Sequence, residues 1–203
     1  MNEKFFNLPI EKQERIINAG YRVFSQNSYK KSPMSEIADA AGISKSLLFH
    51  YFLNKKELYM FLWDNCAKTT VQYLTEYKCY EQKDLFEMMY RGMQAKMEII
   101  RKYPDMARFV IKAYYEKDPA VCDDIRQSYQ KYLNMKAKTT LMKLEPEKFM
   151  PGLDLQMMYR EMFWASEGYL WEKVQQGSLN MEQMEDDFRK LIEFWKTVYL
   201  RNG

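Results

Sequence analysis

Residues 34–58 place one glycine between two short helical patterns, and this arrangement constrains the fold more than any other feature of the chain. Gly42 supplies the left-handed backbone conformation that ends a helix. Ser44 can begin the next helix by accepting a hydrogen bond from an exposed amide. Leu48 and Phe52, four residues apart on that second helix, can reach back to a shared core. These features together predict a helix-turn-helix.

The opposite face of the second helix, over residues 45–52, is left for a partner. It presents a cation, a hydroxyl, an aromatic ring and an imidazole, contributed by Lys45, Ser46, Phe49 and His50. Such a mixture suits the floor of a DNA major groove flanked by phosphates. The sequence therefore predicts that residues 45–52 form a DNA recognition helix.

The same stretch contains a specific set of residues at fixed spacing. They are Ile37-Ala38, Ala41-Gly42-Ile43-Ser44, Phe49, Tyr51-Phe52 and Lys55. With them the chain resembles the TetR family of bacterial transcriptional regulators over about its first quarter. Two positions depart from the common family pattern, because Phe49 stands where tyrosine is usual and Pro33 where threonine is usual.

The resemblance implies an all-α fold with about nine helices. Residues 1–54 would form a three-helix DNA-binding domain, and residues 55–203 a helical bundle for ligand binding and dimerisation. It also implies a homodimer that binds double-stranded DNA at a palindromic operator. The expected DNA contacts are Ser32, Ser35, Ser44, Lys45, Ser46, Leu47, Phe49, His50, Tyr51 and Lys55. For Tyr51 two roles stay open, a phosphate contact and a core residue.

Proline, glycine and capping residues punctuate the chain at the intervals expected of a helical protein. The first helix is expected from Pro9 to about residue 26, the second opens at Ser32-Pro33, and Asn54 caps a long fourth helix. The five helices that follow are expected at residues 84–102, 104–117, 119–143, 154–176 and 181–200. The fourth helix would link the DNA reader to the rest of the protein.

Hydropathy and charge indicate where the protein is located and which partners it can bind. No apolar run approaches the ~18 residues of a membrane span, and the first eight residues lack the apolar segment of a signal peptide. We therefore expect a cytoplasmic protein with no membrane partner. The net charge of +3 is mild, but cations concentrate in the N-terminal part. They favour phosphate binding, with an ordinary solvated face as the alternative.

Residues suited to catalysis or metal binding are sparse. The single histidine, His50, lies on the predicted recognition face, and the sequence has no GxxxxGK[ST] or GxGxxG loop. Cys66, Cys79 and Cys122 form no CxxC motif, which indicates reduced core thiols. We expect no enzymatic activity, no metal site and no cofactor.

Aromatic residues make up 16% of the chain, which also has 16 methionines, a residue that adapts to varied ligand shapes. A small-molecule site is expected from Tyr90, Met93, Phe109, Tyr114, Tyr115, Trp164, Glu167 and Trp171. Aromatic rings around a carboxylate favour a cation, so the predicted inducer is an apolar or cationic amphipathic molecule. The alternative is that these residues are ordinary core and interface residues.

The last helix has a wide apolar stripe that requires a partner. The family pairs its last two helices with those of a second copy, so a dimer interface is expected at Gly168, Phe188, Leu191, Ile192, Trp195 and Tyr199. The sequence thus predicts a ligand-responsive DNA-binding regulator, with repression favoured and activation left open. The alternative function is a helical small-molecule-binding or scaffold protein without sequence-specific DNA binding.

Overall fold

The computed structural model describes residues 3–177 and 179–201, and over these residues it confirms the predicted all-α class. They form ten α-helices and two single 3₁₀ turns, at Cys79–Glu81 and Pro146–Lys148. The helices are α1 (Glu3–Phe6), α2 (Ile10–Gln26), α3 (Met34–Ala41), α4 (Lys45–Tyr51), α5 (Lys55–Glu76), α6 (Leu85–Lys102), α7 (Pro104–Tyr114), α8 (Cys122–Leu141), α9 (Leu155–Gln176) and α10 (Met181–Tyr199). Each predicted helix has a counterpart, and α1 is additional because four residues are too few to show a helical period.

Local hydrogen bonds explain several helix ends. The Ser44 hydroxyl accepts a 3.2 Å hydrogen bond from the N–H of Leu47 and thereby begins α4. α7 ends at Tyr114, earlier than predicted, because the Glu116 carboxylate accepts hydrogen bonds from the N–H groups of Lys117 and Asp118 at 2.8 and 3.0 Å. Those amides therefore serve a turn instead of continuing the helix.

The chain divides into two compact units. The first contains the residues up to 69 together with residues 103–128, and the second contains residues 70–102 and those from 129 onward. The first unit therefore includes α7 and the beginning of α5 besides the helix-turn-helix. The boundary predicted between residues 54 and 55 stays a prediction about which domain binds DNA and which binds ligand.

Aromatic rings form the core of the first unit, where α2 packs against α3 and α7. The rings of Phe24 and Tyr59 lie 4.8 Å apart, and those of Tyr59 and Phe109 lie 5.0 Å apart. On α1, Phe5 is fully buried, with its ring 5.0 Å from that of Phe52. Such ring pairs contribute about 0.5–1.5 kcal/mol each beyond their buried area, so they anchor even the short α1.

The core of the second unit includes the apolar stripe of α10, which packs against α6. Phe188, Ile192 and Trp195 expose 1%, 5% and 1% of their surface, and the rings of Phe188 and Trp195 meet edge to face at 6.0 Å. These three residues were expected at the dimer interface, and this expectation is corrected: the protomer itself covers them. An amphipathic helix needs one partner for its apolar face, and here α6 supplies part of it.

Candidate nucleic-acid interface and ligand cavity

The turn between α3 and α4 has the geometry that its sequence predicts. Gly42 has φ 66° and ψ 37°, and the N–H of Ile43 donates to the carbonyl of Ala38 at 3.0 Å. A left-handed backbone conformation at the end of a helix costs glycine little free energy, because glycine has no Cβ. Leu48 and Phe52 are completely buried. The turn therefore packs one face of α4 into the core of the first unit.

The outer face of α4 is open to solvent. Lys45, Ser46, Phe49 and His50 are all exposed, and the Phe49 ring keeps 40% of its surface accessible. The Lys45 Nζ lies 6.0 Å from the centre of the Phe49 ring, and the Ser44 and Ser46 hydroxyls lie 3.0 Å apart. A cation, two hydroxyls and two rings thus share one surface, with the chemistry that base edges and phosphates require.

Two of the predicted DNA contacts belong to the interior. Ser32 is completely buried, and its hydroxyl donates to the Ser28 carbonyl at 3.0 Å, so it cannot meet a phosphate. Tyr51 exposes 5% of its surface and places its ring 6.1 Å from that of Phe5, so the ring is part of the core. Ser35 and Leu47 are half-buried at the edge of the exposed face.

Lys55, predicted to bind phosphate, is engaged within the protein. Its Nζ donates to the carbonyls of Tyr29 and Lys30 at 2.8 and 3.4 Å, and lies 4.4 Å from the centre of the Tyr29 ring. The ammonium thus ties the beginning of α5 to the loop between α2 and α3. That loop, residues 27–33, carries the exposed side chains of Lys30 and Lys31.

The same loop is also held by the α7 region. Glu116 accepts a 2.7 Å hydrogen bond from the N–H of Tyr29, and the Lys112 Nζ donates to the carbonyl of Gln26 at 2.8 Å. Lys56 forms an ion pair with Asp124 at 2.6 Å. Sequence reasoning missed these contacts, because their partners are 68 to 87 residues apart and no local pattern marks them.

A cavity of about 40 Å³ lies in the second unit. Most of its lining is apolar, with three methionines, Met88, Met89 and Met93, and the ring of Phe163. Three lysines also line it, whereas no aspartate or glutamate does so among the described residues. The volume suffices for a few water molecules, so a larger ligand needs side chains to move.

The predicted ligand residues do not converge on this cavity, and of the eight only Met93 lines it. Phe109, Tyr114 and Tyr115 belong to the first unit, where Phe109 is in the core. The other four lie in the second unit but do not line the cavity. Tyr90 donates to Glu185, and Glu167 pairs with Lys96. Trp164 is 55% exposed and Trp171 is half-buried. Helical periodicity groups residues by face, but it does not tell which face lines a cavity.

The predicted interface residues other than the three core residues are more accessible. Gly168 is exposed, Leu191 is half-buried, and the Tyr199 hydroxyl donates to Glu161 at 3.0 Å. Burial and that hydrogen bond to a carboxylate raise the pKa of Tyr199. Over the described residues no helix is apolar enough over a sufficient length to cross a membrane, and no cluster of His, Cys, Asp and Glu could hold a metal ion.

Comparisons with known proteins agree with this geometry. Residues 16–60 match the family model described as bacterial regulatory proteins, tetR family. The HTH-type transcriptional regulator RutR of Escherichia coli (strain K12) is 24% identical over 155 residues, covering 76% of this chain and 71% of RutR. A TetR family regulator from Chloroflexus aurantiacus superposes with a TM-score of 0.73 at 21% identity over 99% of both chains.

A third relative is the transcriptional regulator FadR from Bacillus subtilis, solved in complex with stearoyl-CoA. It superposes with a TM-score of 0.71 at 17% identity, over 90% of this chain and 96% of FadR. At this identity the solved structures establish the fold. The family match lies on the helix-turn-helix itself, which makes the chain a DNA-binding transcriptional regulator. Residues 16–60 thus carry the helix-turn-helix of the TetR family of bacterial regulatory proteins, and the fold of the whole chain is similar to that of TetR family regulators.

Proposed function

We propose that the protein is a cytoplasmic, dimeric, ligand-responsive repressor that binds a palindromic operator through α4. The observation that carries this proposal is the division of α4 into a buried face and an open face. Leu48 is fully buried, whereas Lys45, Ser46 and His50 are exposed on the same short helix. Two copies of α4 related by a two-fold axis would enter successive major grooves about 34–36 Å apart.

Within each half-site, the exposed side chains divide between bases and backbone. Lys45 and Ser46 would reach base edges or nearby phosphates, and Leu47 would pack against a thymine methyl group. Phe49 and His50 would press on the sugar-phosphate backbone, where Ser35 and Ser44 supply hydroxyls. We assign Lys55 to positioning, because its ammonium is already bound to two carbonyl groups.

Dimerisation through α9 and α10 is proposed on a set of residues that keeps the predicted Gly168 and Leu191 and adds exposed apolar side chains. Leu191, Phe194 and Val198 follow one another at helical spacing on α10, and Phe194 and Val198 are 59% and 44% exposed. On α9, Trp164 is 55% exposed and is followed by the exposed Gly168 one turn later. Large exposed apolar side chains on two helices support an interface with a second copy.

Ligand control is proposed for the cavity of the second unit. B. subtilis FadR, which shares the fold, was solved with stearoyl-CoA, a ligand with a long apolar chain. Leu74, near the end of α5, lines the cavity, and the beginning of α5 carries Lys55. A ligand that favours one position of α5 would thereby change DNA affinity, provided that it prefers the non-binding conformation.

Selection of bound sequences from a random duplex library, at two salt concentrations, tests the proposal. We expect an enriched palindrome with half-sites about 10–10.5 base pairs apart, centre to centre, and retention that falls with salt. Absence of enrichment would favour a helical ligand-binding or scaffold protein.

Lys45→Ala provides the residue-level test on the selected operator. It should weaken operator binding more than random-duplex binding, by about 1–3 kcal/mol if Lys45 reads a base. Lys190→Ala removes the same charge from an exposed lysine of the second unit and serves as the matched control. Equal losses on both DNAs would remove Lys45 from the residues that read bases.

A further inference from the structure

The cavity of the second unit combines apolar walls with an excess of positive charge. Lys96 on α6, Lys136 on α8 and Lys143 all line it, and no carboxylate of a described residue does so. An ammonium group beside apolar surface loses part of its hydration, and a partner of opposite charge offsets that loss more strongly than a ring or a neutral acceptor does. The charges at this cavity therefore indicate what kind of molecule occupies it.

Lys96 and Lys136 approach the same aromatic ring. The Lys96 Nζ lies 5.2 Å from the centre of the Phe163 ring, and the Lys136 Nζ lies 4.9 Å from it. Ring and cation attract each other, so the Phe163 ring lies within reach of both ammonium groups. Burial, and next the repulsion from the Lys136 ammonium, lowers the pKa of Lys96.

The protein supplies only part of the counter-charge. Glu167 pairs with Lys96, and each of these side chains exposes 16% of its surface. Lys143 donates to the carbonyl of Tyr80, which is a neutral acceptor. Among the described residues, no carboxylate lies within ion-pair distance of Lys136. One negative charge thus faces three lysines, two of them around a single ring.

We infer that this cavity binds an amphipathic molecule with an anionic head group, a carboxylate or a phosphate, next to Lys136 and Lys96 and with an unbranched apolar tail among the methionines. This replaces the apolar or cationic amphipathic inducer expected from the sequence. The inference rests on the proposed function only for its effect on DNA. The tail requires Met88, Met89 and Met93 to move, because the cavity holds about 40 Å³ in the structure, and unbranched thioether side chains rearrange readily.

The test compares head groups on one tail. Decanoate, decyl phosphate, decanol and decyltrimethylammonium are titrated into the full chain below their micelle concentrations, with binding measured by calorimetry. We expect saturable binding of one anion per protomer, at least tenfold tighter than decanol, and no saturable binding of the ammonium compound. Decanoate and decyl phosphate separate the two anionic head groups. Equal affinity for all four, or preference for the cation, would overturn the inference.

Substitution at Lys136 locates the head group. Lys136→Met should weaken decanoate binding about tenfold and leave decanol unchanged, whereas Lys136→Arg should retain anion selectivity. Lys138→Met is the matched control, because Lys138 is exposed on the same helix and does not line the cavity. If Lys136→Met fails to fold, the head-group comparison on the unaltered protein still decides the question.

DNA binding is measured separately, so that the two proposals can fail independently. Release of the selected operator by decanoate would support both of them. Binding of decanoate without release would uphold the anion site and contradict ligand control of the repressor. Loss of anion selectivity with intact operator binding would contradict the anion site alone.

Discussion

The carboxylate of Glu116 accepts a 2.7 Å hydrogen bond from the backbone N–H of Tyr29, which joins the residues after α7 to the loop between α2 and α3. The same carboxylate also accepts from the N–H groups of Lys117 and Asp118. One side chain therefore fixes the loop between α2 and α3 relative to the turn that follows α7. The loop that it holds presents Lys30 and Lys31 to solvent beside the helix-turn-helix.

Removal of this carboxylate should weaken DNA binding without removing a DNA contact. For Glu116→Ala we expect a loss of about 1–3 kcal/mol in stability, because three backbone amides lose a shared acceptor. Operator affinity should fall several-fold with an unchanged salt slope, measured by fluorescence anisotropy. Glu147→Ala, at an exposed glutamate of the second unit, is the control. Unaltered stability and affinity would show that the hydrogen bond has no role in holding the loop.

Substitution of Lys55 should lower stability, whereas substitution of Lys30 should lower the salt dependence of DNA binding. The Lys55 ammonium donates to two carbonyls, so Lys55→Ala should lower stability by about 1 kcal/mol and leave the salt slope nearly unchanged. Lys30 is exposed, so Lys30→Ala should reduce the slope by about one while stability stays constant. Operator binding at several salt concentrations and urea unfolding measure both quantities. A slope reduced by one in Lys55→Ala would restore Lys55 as a phosphate contact.

The proposed dimer interface can be tested by one charge on α10. Phe194 is 59% exposed, so Phe194→Glu should fold but yield a monomer by light scattering. Met142→Glu introduces the same charge at a side chain that is 78% exposed elsewhere in the second unit, and it should stay dimeric. Trp195→Glu should instead unfold the protein, because Trp195 is 1% exposed. A dimeric Phe194→Glu would move the interface away from this stripe.

Alkaline pH should destabilise the protein partly through Cys66. Burial raises the pKa of its thiol to about 12, and the thiol donates to the Tyr21 hydroxyl. The folded state therefore keeps the proton after the unfolded chain has lost it, so this contribution is complete below about pH 9 and is lost as the pH rises towards 12. Between pH 8 and 10 the free energy of unfolding should fall by about 1 kcal/mol more in the unaltered protein than in Cys66→Ala. The free energy of unfolding is measured by urea titration at each pH. The same pH dependence in both proteins would show that Cys66 ionises alike in the folded and unfolded states.

Helices and their ends were predictable because their determinants are close together in the chain. Gly42 and Ser44 specify the turn through backbone conformation and a cap three residues away, and Leu48 specifies the buried side of α4. The exposed face of α4 followed from the same local periodicity. Ser32 was misassigned because a hydroxyl can bond to the backbone four residues earlier as readily as to a phosphate.

Such local patterns did not predict contacts between residues that are far apart in the chain. The apolar stripe of α10 was evident in the sequence, but its periodicity does not tell whether a second copy or the protomer's own α6 covers it. The structure buries Phe188, Ile192 and Trp195 and leaves Phe194 outside. In the same way, Phe109 joined the core of the first unit through contacts with Tyr59, which lies 50 residues earlier.

By itself, the sequence determined the all-α class, the helix-turn-helix and the side chains that α4 leaves exposed, because these depend on interactions within a few residues. Only the tertiary structure decided the sign of charge at the cavity of the second unit. Lys96, Lys136 and Phe163 come from α6, α8 and α9, and they meet only when those helices pack. Electrostatic interactions depend on distance in space, so three residues from three helices can form a cationic site that no segment of the chain contains.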